Sequence, residues 1–494
     1  MRKQGFDNDK YLKMQSEHIQ NRIAQFGGKL YLEFGGKLFD DFHASRVLPG
    51  FAPDSKIKML SNLSEQAEIV VVINASDIEK NKVRGDLGIT YDNDVLRLIG
   101  VFRQLGFFVG SVVIAQYTGQ ANTDAFRKRL ENLDIKVYLH YPINGYPSNV
   151  PLIVSDEGYG KNQYIETTRP LVVITAPGPG SGKMATCLSQ LYHENKRGVK
   201  AGYAKFETFP IWNLPLKHPV NLAYEAATVD LNDVNMIDPF HLEAYGTTTV
   251  NYNRDVEIFP VLNAILEQIL GESPYKSPTD MGVNMAGNCI FDNDVVEEAS
   301  RQEILRRYYH TLCAQQEGKI SDEAMFKIEL LMKQGQVTLD DRKVAVAALQ
   351  KAEESKASTV AIELADGTLV TGKTSSLLTA SSAALLNAVK ILAGIDDSIY
   401  LIAPSVIEPV QRLRTEYLDR RSALLHTDEM LVALSVSASF DEKAELAMKQ
   451  LHFLRGCELH SSVILPGIDS ITLRRLGLNV TCEPVYESKN IYHN

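Results

Sequence analysis

Hydrophobic positions in the first 220 residues form short apolar runs, separated by segments in which apolar residues recur with helical spacing. Strands are predicted at residues 29–34, 69–73, 109–115, 135–139, 171–175 and 200–206. Helices are predicted between them, most clearly at 92–105 and 122–133. Alternation of strands with helices predicts a mostly parallel sheet that is covered on both faces. The expected fold class is therefore α/β.

The apolar pattern weakens from about residue 217 to 292, where acids and amides become frequent. Such polar, loop-rich stretches are typical of the surroundings of a site. Helical spacing returns from 293 to about 352. Three parts are therefore expected, namely an α/β phosphate-binding domain at 1–220, a loop-rich and helical middle region at 221–355, and a smaller C-terminal α/β subdomain at 356–494.

The C-terminal part opens with two alternating segments around Asp366 and Gly367, which predicts a β-hairpin at 359–371. Val360, Ile362 and Leu364 are expected on one face, joined across the turn by Leu369. The rest is predicted as helix 376–392, strands 399–403 and 430–437, helix 441–455, strand 461–465 and helix 469–476. This layout is that of cytidine-deaminase-like domains, but the Cys and His ligands of their zinc are missing at the helix start. No metal site is assigned.

The chain has 494 residues and a formal net charge of −10, so no global attraction to nucleic acid or to an anionic membrane is expected. Its five cysteines are widely spaced and form no C-x-x-C pair, which favours reduced thiols. The first residues lack the apolar core of a signal peptide, and no apolar run reaches the length of a membrane span. A cytoplasmic protein is predicted.

A glycine-rich run between a predicted strand and a predicted helix at 184–192 is the strongest candidate for chemistry. It holds Gly178, Gly180, Ser181, Gly182 and Lys183. Glycines let the backbone approach a ligand, amide groups and the helix dipole favour an anion, and a lysine adds charge. The alternative is a tight turn that binds nothing.

Two departures separate this run from the Walker pattern G-x-x-x-x-G-K-[ST]. Pro177 stands where the pattern has its first glycine, and Met184 stands where a hydroxyl would hold Mg²⁺. A second run, residues 367–374, fits the pattern at every position but lies in the predicted hairpin. Because a motif counts only in its structural context, Lys373 is expected to bind no nucleotide.

Asp238, His241 and Asp280 are the candidate catalytic residues, in two segments rich in acids and amides. A carboxylate near bound phosphates can hold Mg²⁺ or accept a proton from a substrate hydroxyl. The alternative is a solvated loop with Asx turns. His241 and Glu243 are two residues apart, which does not match zinc-ligand spacing.

Asn284 and Asn288 follow Asp280 at four-residue spacing, which would place all three on one helix face. They are candidates for ligand binding, with a network that ties domains together as the alternative. Arg254 is a candidate clamp for a phosphate or carboxylate. We expect Asp238 or His241, and one of Asp280, Asn284 and Asn288, to converge on the glycine loop.

Three long strings, at 176–190, 235–246 and 277–287, resemble a bacterial protein family known as domain of unknown function 1846. The resemblance covers the whole chain. It implies an α/β N-terminal body, a helical middle and a C-terminal α/β subdomain, and it implies that Pro177 and Met184 are family features. It implies no reaction.

Two hypotheses of function follow. The first is an enzyme, of phosphoryl-transfer type, that binds a nucleotide or another phosphorylated small molecule at the 178–183 loop. The second is a ligand-binding or assembly protein without chemistry, which the missing Mg²⁺ hydroxyl favours. Cofactor identity, a need for Mg²⁺ and assembly into a homo-oligomer stay open.

Overall fold

The computed structural model describes residues 3–36, 38–39, 41–84, 88–419 and 422–487. The chain divides into two compact units. The first, here called the sheet unit, comprises Gln4–Glu225 and Asn232–Glu297. The second, the C-terminal unit, consists mainly of the chain from Glu298 onward, with Ala226–Leu231. The three-part division expected from the sequence stays a prediction.

Seven parallel strands of the sheet unit form one sheet in the order β11-β8-β1-β7-β2-β5-β6. Two short antiparallel pairs, β3-β4 and β9-β10, lie outside it. The strands are β1 (Leu30–Phe34), β2 (Ala67–Asn74), β3 (Val83–Arg84), β4 (Ile89–Thr90), β5 (Phe108–Ala115), β6 (Lys136–Leu139), β7 (Leu171–Thr175), β8 (Gly202–Phe206), β9 (Asn235–Ile237), β10 (Val250–Tyr252) and β11 (Gly282–Val283). All six strands predicted in this part of the sequence are present, and the α/β fold class is confirmed.

Helices cover both faces of this sheet. They are α1 (Asn8–Gln25), α2 (Phe42–Val47), α3 (Ser55–Ser61), α4 (Ala75–Glu79), α5 (Tyr91–Gln104), α6 (Ala121–Glu131), α7 (Val150–Ile153), α8 (Lys183–Lys196), α9 (Pro219–Ala227), α10 (Pro239–Tyr245), α11 (Asn253–Leu270) and α12 (Pro278–Met281). Every residue of β1, β7 and β8 is buried, as expected for parallel strands between two helical layers. Alternate side chains of β1 enter two different cores, Leu30 and Leu32 on one face and Tyr31 on the other.

The strand order determines where the glycine loop lies. β7 pairs with β1 on one side and β2 on the other, so the loop after β7 leaves from the middle of the sheet. The carboxyl ends of β2 and β5 lie along the same edge because all these strands are parallel. Ligands of open α/β sheets bind at this edge.

The prediction that Asp280, Asn284 and Asn288 share a helix face is wrong. α12 ends at Met281, β11 follows at once, and a single 3-10 turn covers Ala286–Cys289. Gly282 and Val283 pair with β8 and are fully buried, so pairing with the sheet edge overrides the helical spacing. The region expected to be loop-rich also contains the long helix α11.

The C-terminal unit holds three helices followed by a four-stranded sheet with its own core. Its elements are α13 (Asn293–Gln316, which begins in the sheet unit), α14 (Asp322–Gln334), α15 (Lys343–Ser355), β12 (Thr359–Glu363), β13 (Leu369–Lys373), α16 (Ala380–Ala393), α17 (Pro404–Arg412), α18 (Thr427–Ser437), α19 (Glu442–Lys449), β14 (Glu458–Ser461), α20 (Gly467–Arg475) and β15 (Asn479–Cys482). The sheet order is β13-β12-β14-β15, with only the last pair parallel. In the described ranges, no helix is both long enough and apolar enough to span a membrane.

Two strands predicted in this unit are wrong. Residues 430–437 lie in α18, where Asp428 and Glu429 occupy the first turn and interact favourably with the helix dipole. Residues 399–403 form no regular element before Pro404 begins α17. The strand predicted at 461–465 lies earlier, at Glu458–Ser461. Short apolar runs fit a buried helix as well as a strand, which explains the first error.

The predicted hairpin is confirmed as β12 and β13. Its register places Val370 opposite Ile362, so Val370 enters the core whereas Leu369, expected there, is exposed. Gly372 has a packing role, because a Cβ atom there would lie 2.1 Å from the Ala384 nitrogen of α16. The sequence that matches the Walker pattern fully therefore forms the end of a strand against a helix.

Candidate functional site

The glycine loop joins the buried end of β7 at Thr175 to the start of α8 at Lys183. Gly180 has φ of 74° and Gly182, the N-cap of α8, has φ of 94°. Both values lie in the left-handed region, where glycine is the residue without a Cβ penalty. The strand, loop and helix order predicted from the sequence is present, with the helix four residues longer than its predicted end at 192.

Packing shapes the rest of the loop. A Cβ atom on Gly178 would lie 2.3 Å from the Tyr91 hydroxyl, and one on Gly182 would lie 3.1 Å from the Ala115 Cβ. The Ser181 hydroxyl, fully buried, donates a hydrogen bond of 2.7 Å to the Gly178 carbonyl. Ser181 therefore stabilises the loop from within, and the loop backbone is left to meet a ligand.

A cleft of about 590 Å³ opens beside the loop at the carboxyl edge of the sheet. Its lining residues are Asn74, Ser76, Gln116, Thr118, Gln120, Tyr146, Gly180, Gly182 and Ala185. None of these residues carries a charge, and the side chains are carboxamides and hydroxyls apart from that of Ala185. They come from the end of β2 and the start of α4, from the segment after β5, from the glycine loop and the first turn of α8, and, for Tyr146, from the segment between β6 and α7. The cleft was not predicted from the sequence, because its walls come from separate segments.

Lys183 supplies the local positive charge. Within the described part of the chain, no carboxylate lies within 4.0 Å of its ammonium group. Its effect is seen at Cys187, one turn along α8, where burial raises the pKa of the thiol well above its usual range. The Glu33 carboxylate adds to that rise and Lys183 opposes it. A lysine without a paired acid, at the start of a helix, is suited to an anion.

Asp238, His241 and Asp280 do come together, as a hydrogen-bonded cluster. Asp238 is fully buried; one oxygen accepts from the His241 backbone at 3.0 Å, and the other accepts from the Thr279 hydroxyl at 2.6 Å. The His241 ring lies 3.0 Å from the Ser277 hydroxyl and 3.7 Å from the Asp280 carboxylate. These bonds cap α10 and hold it to α12.

The convergence of this cluster on the glycine loop stays a prediction. α12 leads directly into β11, which is three strands from β7 in the sheet. At a strand spacing of about 4.8 Å, the two strands are about 14 Å apart. A ligand held by the loop would have to extend across β1 and β8 to reach Asp280.

The remaining candidates are bonded to their own chain. The Asn284 amide donates to the carbonyls of Thr208 and Pro210, at 3.2 and 3.0 Å. Arg254 makes a two-point ion pair with Asp233, at 2.5 and 2.8 Å. Asn288 is exposed, and its carbonyl accepts from the Lys10 ammonium at 2.7 Å. The side chains of Asn284 and Arg254 and the backbone carbonyl of Asn288 therefore have structural roles.

Sequence reasoning missed a buried network around Lys205 of β8. The Lys205 ammonium pairs with the Glu207 carboxylate at 2.7 Å and donates to Asp255 and to the Tyr252 hydroxyl. Tyr252 donates to Glu207 at 3.2 Å. A signal existed, because Tyr203, Lys205 and Glu207 place polar groups at alternate positions of a strand that is otherwise apolar.

Burial and charge act against each other in this network. Burial disfavours the charged form of Lys205, but Asp255 and Glu207 outweigh it and hold the lysine pKa well above its usual range. Burial raises the pKa of the Glu207 carboxyl to about 7, against the lowering effect of Lys205. Two carboxylates thus face one ammonium, and the charge of Asp255 adds to the rise in the Glu207 pKa.

The charge of Glu33 in β1 adds to the rise in the Lys205 pKa. Its carboxylate accepts from the Tyr203 hydroxyl at 2.8 Å. Burial raises the pKa of Tyr146, a cleft residue, and the Glu33 charge adds to that rise. Among the residues that the structure describes, no three His, Cys, Asp or Glu side chains are grouped so as to hold a metal ion.

Comparison with known proteins gives matches along the whole chain. The family model described as domain of unknown function DUF1846, N-terminal, matches residues 4–336, and the one described as domain of unknown function DUF1846, C-terminal, matches residues 340–492. The chain is 58% identical over 492 residues to a UPF0371 protein of Streptococcus thermophilus strain CNRZ 1066, covering 100% of both chains. It is equally similar, with the same coverage, to UPF0371 proteins of Streptococcus pneumoniae strains JJA and R6.

Proposed function

This chain belongs to the family described as domain of unknown function DUF1846, a description that names no reaction, so we propose its function from the site. We propose that the sheet unit binds a phosphorylated small molecule in the cleft beside the 178–183 loop. One observation carries the proposal. Gly180 and Gly182 turn the backbone through left-handed conformations into the start of α8, directly against a cleft at the carboxyl edge. The loop is P-loop-like in this sense.

Two features support a phosphate group as the anchored part. The amino end of α8 has unpaired backbone N–H groups and a positive dipole, and Lys183 adds a full charge without a paired carboxylate among the described residues. The formal net charge of the chain is −10, which disfavours a nucleic acid as the ligand. A small anion, held by a local positive charge, is favoured instead.

A phosphoryl-transfer enzyme is the first form of this proposal. Such an enzyme needs a group that exchanges a proton near the loop, and Glu207, whose carboxyl pKa burial raises to about 7, follows β8, two strands from β7. Passive ligand binding is the second form, and it is favoured by Met184 in place of the Mg²⁺ hydroxyl. Turnover assays separate them, because tight binding without product formation supports only the second.

The test of binding uses the two glycine-lysine runs as a matched pair. Thermal unfolding of the full chain is followed with inorganic phosphate and with ATP, each with and without Mg²⁺. A ligand at a hundred times its Kd stabilises the folded state by about 2.7 kcal/mol. We expect Lys183→Ala to abolish the shift and Lys373→Ala, in the hairpin, to retain it.

Two results would contradict the proposal. If neither phosphate nor ATP stabilises the wild-type chain, the proposal of a phosphate site is refuted. Loss of the shift in Lys373→Ala but not in Lys183→Ala would place the ligand on the second glycine run, which ends β13.

For the C-terminal unit we retain the cytidine-deaminase-like layout as a proposal. It is supported by a hairpin, a packed helix α16 and the sheet order β13-β12-β14-β15. No zinc role accompanies it, because no Cys or His stands at the start of α16.

A further inference from the structure

The chemistry of the cleft limits what the phosphate is attached to. Its polar lining consists of carboxamides, from Asn74, Gln116 and Gln120, and hydroxyls, from Ser76, Thr118 and Tyr146. Carboxamides offer both donors and acceptors, which is what alcohol groups require. Tyr146 is the single aromatic residue among the described lining residues, so a nucleobase would have only one ring to stack on there.

The charge near the loop limits the number of phosphates. One phosphate monoester carries about −1.5 to −2 at neutral pH. Lys183 and the dipole of α8, equivalent to about half a charge, roughly balance it. A nucleoside triphosphate carries about two further charges and normally relies on Mg²⁺ and additional cationic groups. Among the described residues, the cleft lining holds no carboxylate for Mg²⁺ and no arginine.

One buried hydroxyl in the first turn of α8 lacks a partner among the described residues. Thr186 follows the cleft residue Ala185 in the first turn of α8, is fully buried, and has no hydrogen-bond partner for its hydroxyl. Tyr159 is also fully buried, and its hydroxyl interacts with that of the cleft residue Tyr146. Unpaired buried hydroxyls cost free energy that a polar ligand reaching them would recover.

Gln116 is held in a costly backbone conformation. It follows β5 directly, is exposed, and has φ of 59°, a left-handed value that non-glycine residues adopt infrequently. Its carboxamide lines the cleft, whereas the carboxamide of Gln120 is already bonded to the backbone of Thr118 and Gln116. Among the described residues the Gln116 carboxamide has no hydrogen bond, so this strained position leaves a donor and an acceptor available at the cleft.

We propose that the ligand is a sugar phosphate, with one phosphoryl group on the 178–183 loop and its hydroxyl groups bonded by Gln116 and the neighbouring polar side chains of the cleft. This inference rests on the proposed phosphate site and adds the class of compound that the phosphate belongs to.

The test compares four probes by equilibrium binding to the full chain, namely inorganic phosphate, ribose 5-phosphate, glucose 6-phosphate and ATP with Mg²⁺. We expect at least one sugar phosphate to bind ten or more times more tightly than inorganic phosphate, and more tightly than ATP. Lys183→Ala is expected to weaken the binding of both inorganic phosphate and the sugar phosphate by at least tenfold.

Gln116→Gly separates recognition from folding. Glycine relieves the strained φ, so the variant should be at least as stable as the wild type. It should bind the sugar phosphate at least fivefold more weakly and inorganic phosphate within twofold of the wild type. Asp134→Gly is the matched control, since Asp134 is also exposed with φ of 54° but precedes β6 at the opposite edge of the sheet. It should leave both affinities unchanged.

The possible failures are distinct. If ATP binds more tightly than either sugar phosphate, or if sugar phosphates bind no better than inorganic phosphate, the inference is overturned while the phosphate site stands. Unchanged sugar phosphate affinity in Gln116→Gly overturns the role of that side chain in recognition. If none of the four probes binds, both the inference and the proposed function fail.

Discussion

At the scale of single residues, the glycines of the loop differ in the reason each is a glycine. Gly178 has no room for a side chain, because the Tyr91 ring occupies the space that a Cβ atom would fill. Gly180 has open space around it but a φ of 74°. The first is a packing requirement and the second a backbone requirement, and substitution by alanine separates them.

Gly178→Ala is expected to lower the free energy of unfolding of the sheet unit by about 2 kcal/mol, as for overpacking. Gly180→Ala should cost only about 1 kcal/mol, the penalty for a left-handed non-glycine residue. Urea unfolding measures both. In a Tyr91→Ala background the Gly178→Ala penalty should fall towards the Gly180→Ala value, and an unchanged penalty would refute the packing explanation.

At the scale of elements, the sequence predicts best what is local. β7 is predicted because a buried parallel strand is a nearly continuous apolar run, and β1 and β8 are predicted although each contains one charged residue, Glu33 or Lys205. The same signal gives a wrong prediction at residues 430–437, where a mostly apolar run lies in the helix α18. The loop of the candidate site was predicted because strand, glycines and lysine are contiguous. The pairing of Lys205 with Asp255 was not predicted, because the two residues are fifty positions apart and only the fold brings them together.

Asp238 tests whether the acidic cluster is structural. Asp238→Ala removes the cap of α10 and the partner of the buried Thr279 hydroxyl, so it should destabilise the sheet unit by about 2 kcal/mol. Phosphate affinity at the loop, measured below the unfolding temperature, should stay within twofold of the wild type. A folded Asp238→Ala variant that no longer binds phosphate would instead support convergence of the cluster on the loop.

At the scale of the whole molecule, each unit contains a histidine whose pKa burial lowers strongly, so that it favours the neutral form. Burial lowers the pKa of His140 in the sheet unit, and of His310 in the C-terminal unit, to about 4. The unfolded chain binds a proton at each near pH 6.5, so it takes up protons first as the pH falls. Both units should therefore lose stability on acidification.

For His140 the stabilisation is complete above pH 6.5 and is lost as the pH falls through 4, which amounts to about 3 kcal/mol. His140→Gln keeps a donor for the Gln163 carbonyl but does not titrate, so the pH dependence of unfolding of the sheet unit should flatten. His310→Gln is the matched control, and it should flatten only the pH dependence of unfolding of the C-terminal unit. An unchanged pH profile in His140→Gln would contradict the assignment.

The position of β7 also sets an order of assembly during synthesis. β1 and β2 leave the ribosome long before β7, yet they are neighbours of β7 and not of each other in the finished sheet. A nascent chain that ends before residue 171 must therefore leave a gap one strand wide or pair β1 with β2 incorrectly. Late insertion of a central strand closes long loops, which slows folding. The strand that leads into the glycine loop is thus the one whose arrival completes the centre of the sheet, so a chain truncated before it lacks the proposed binding site.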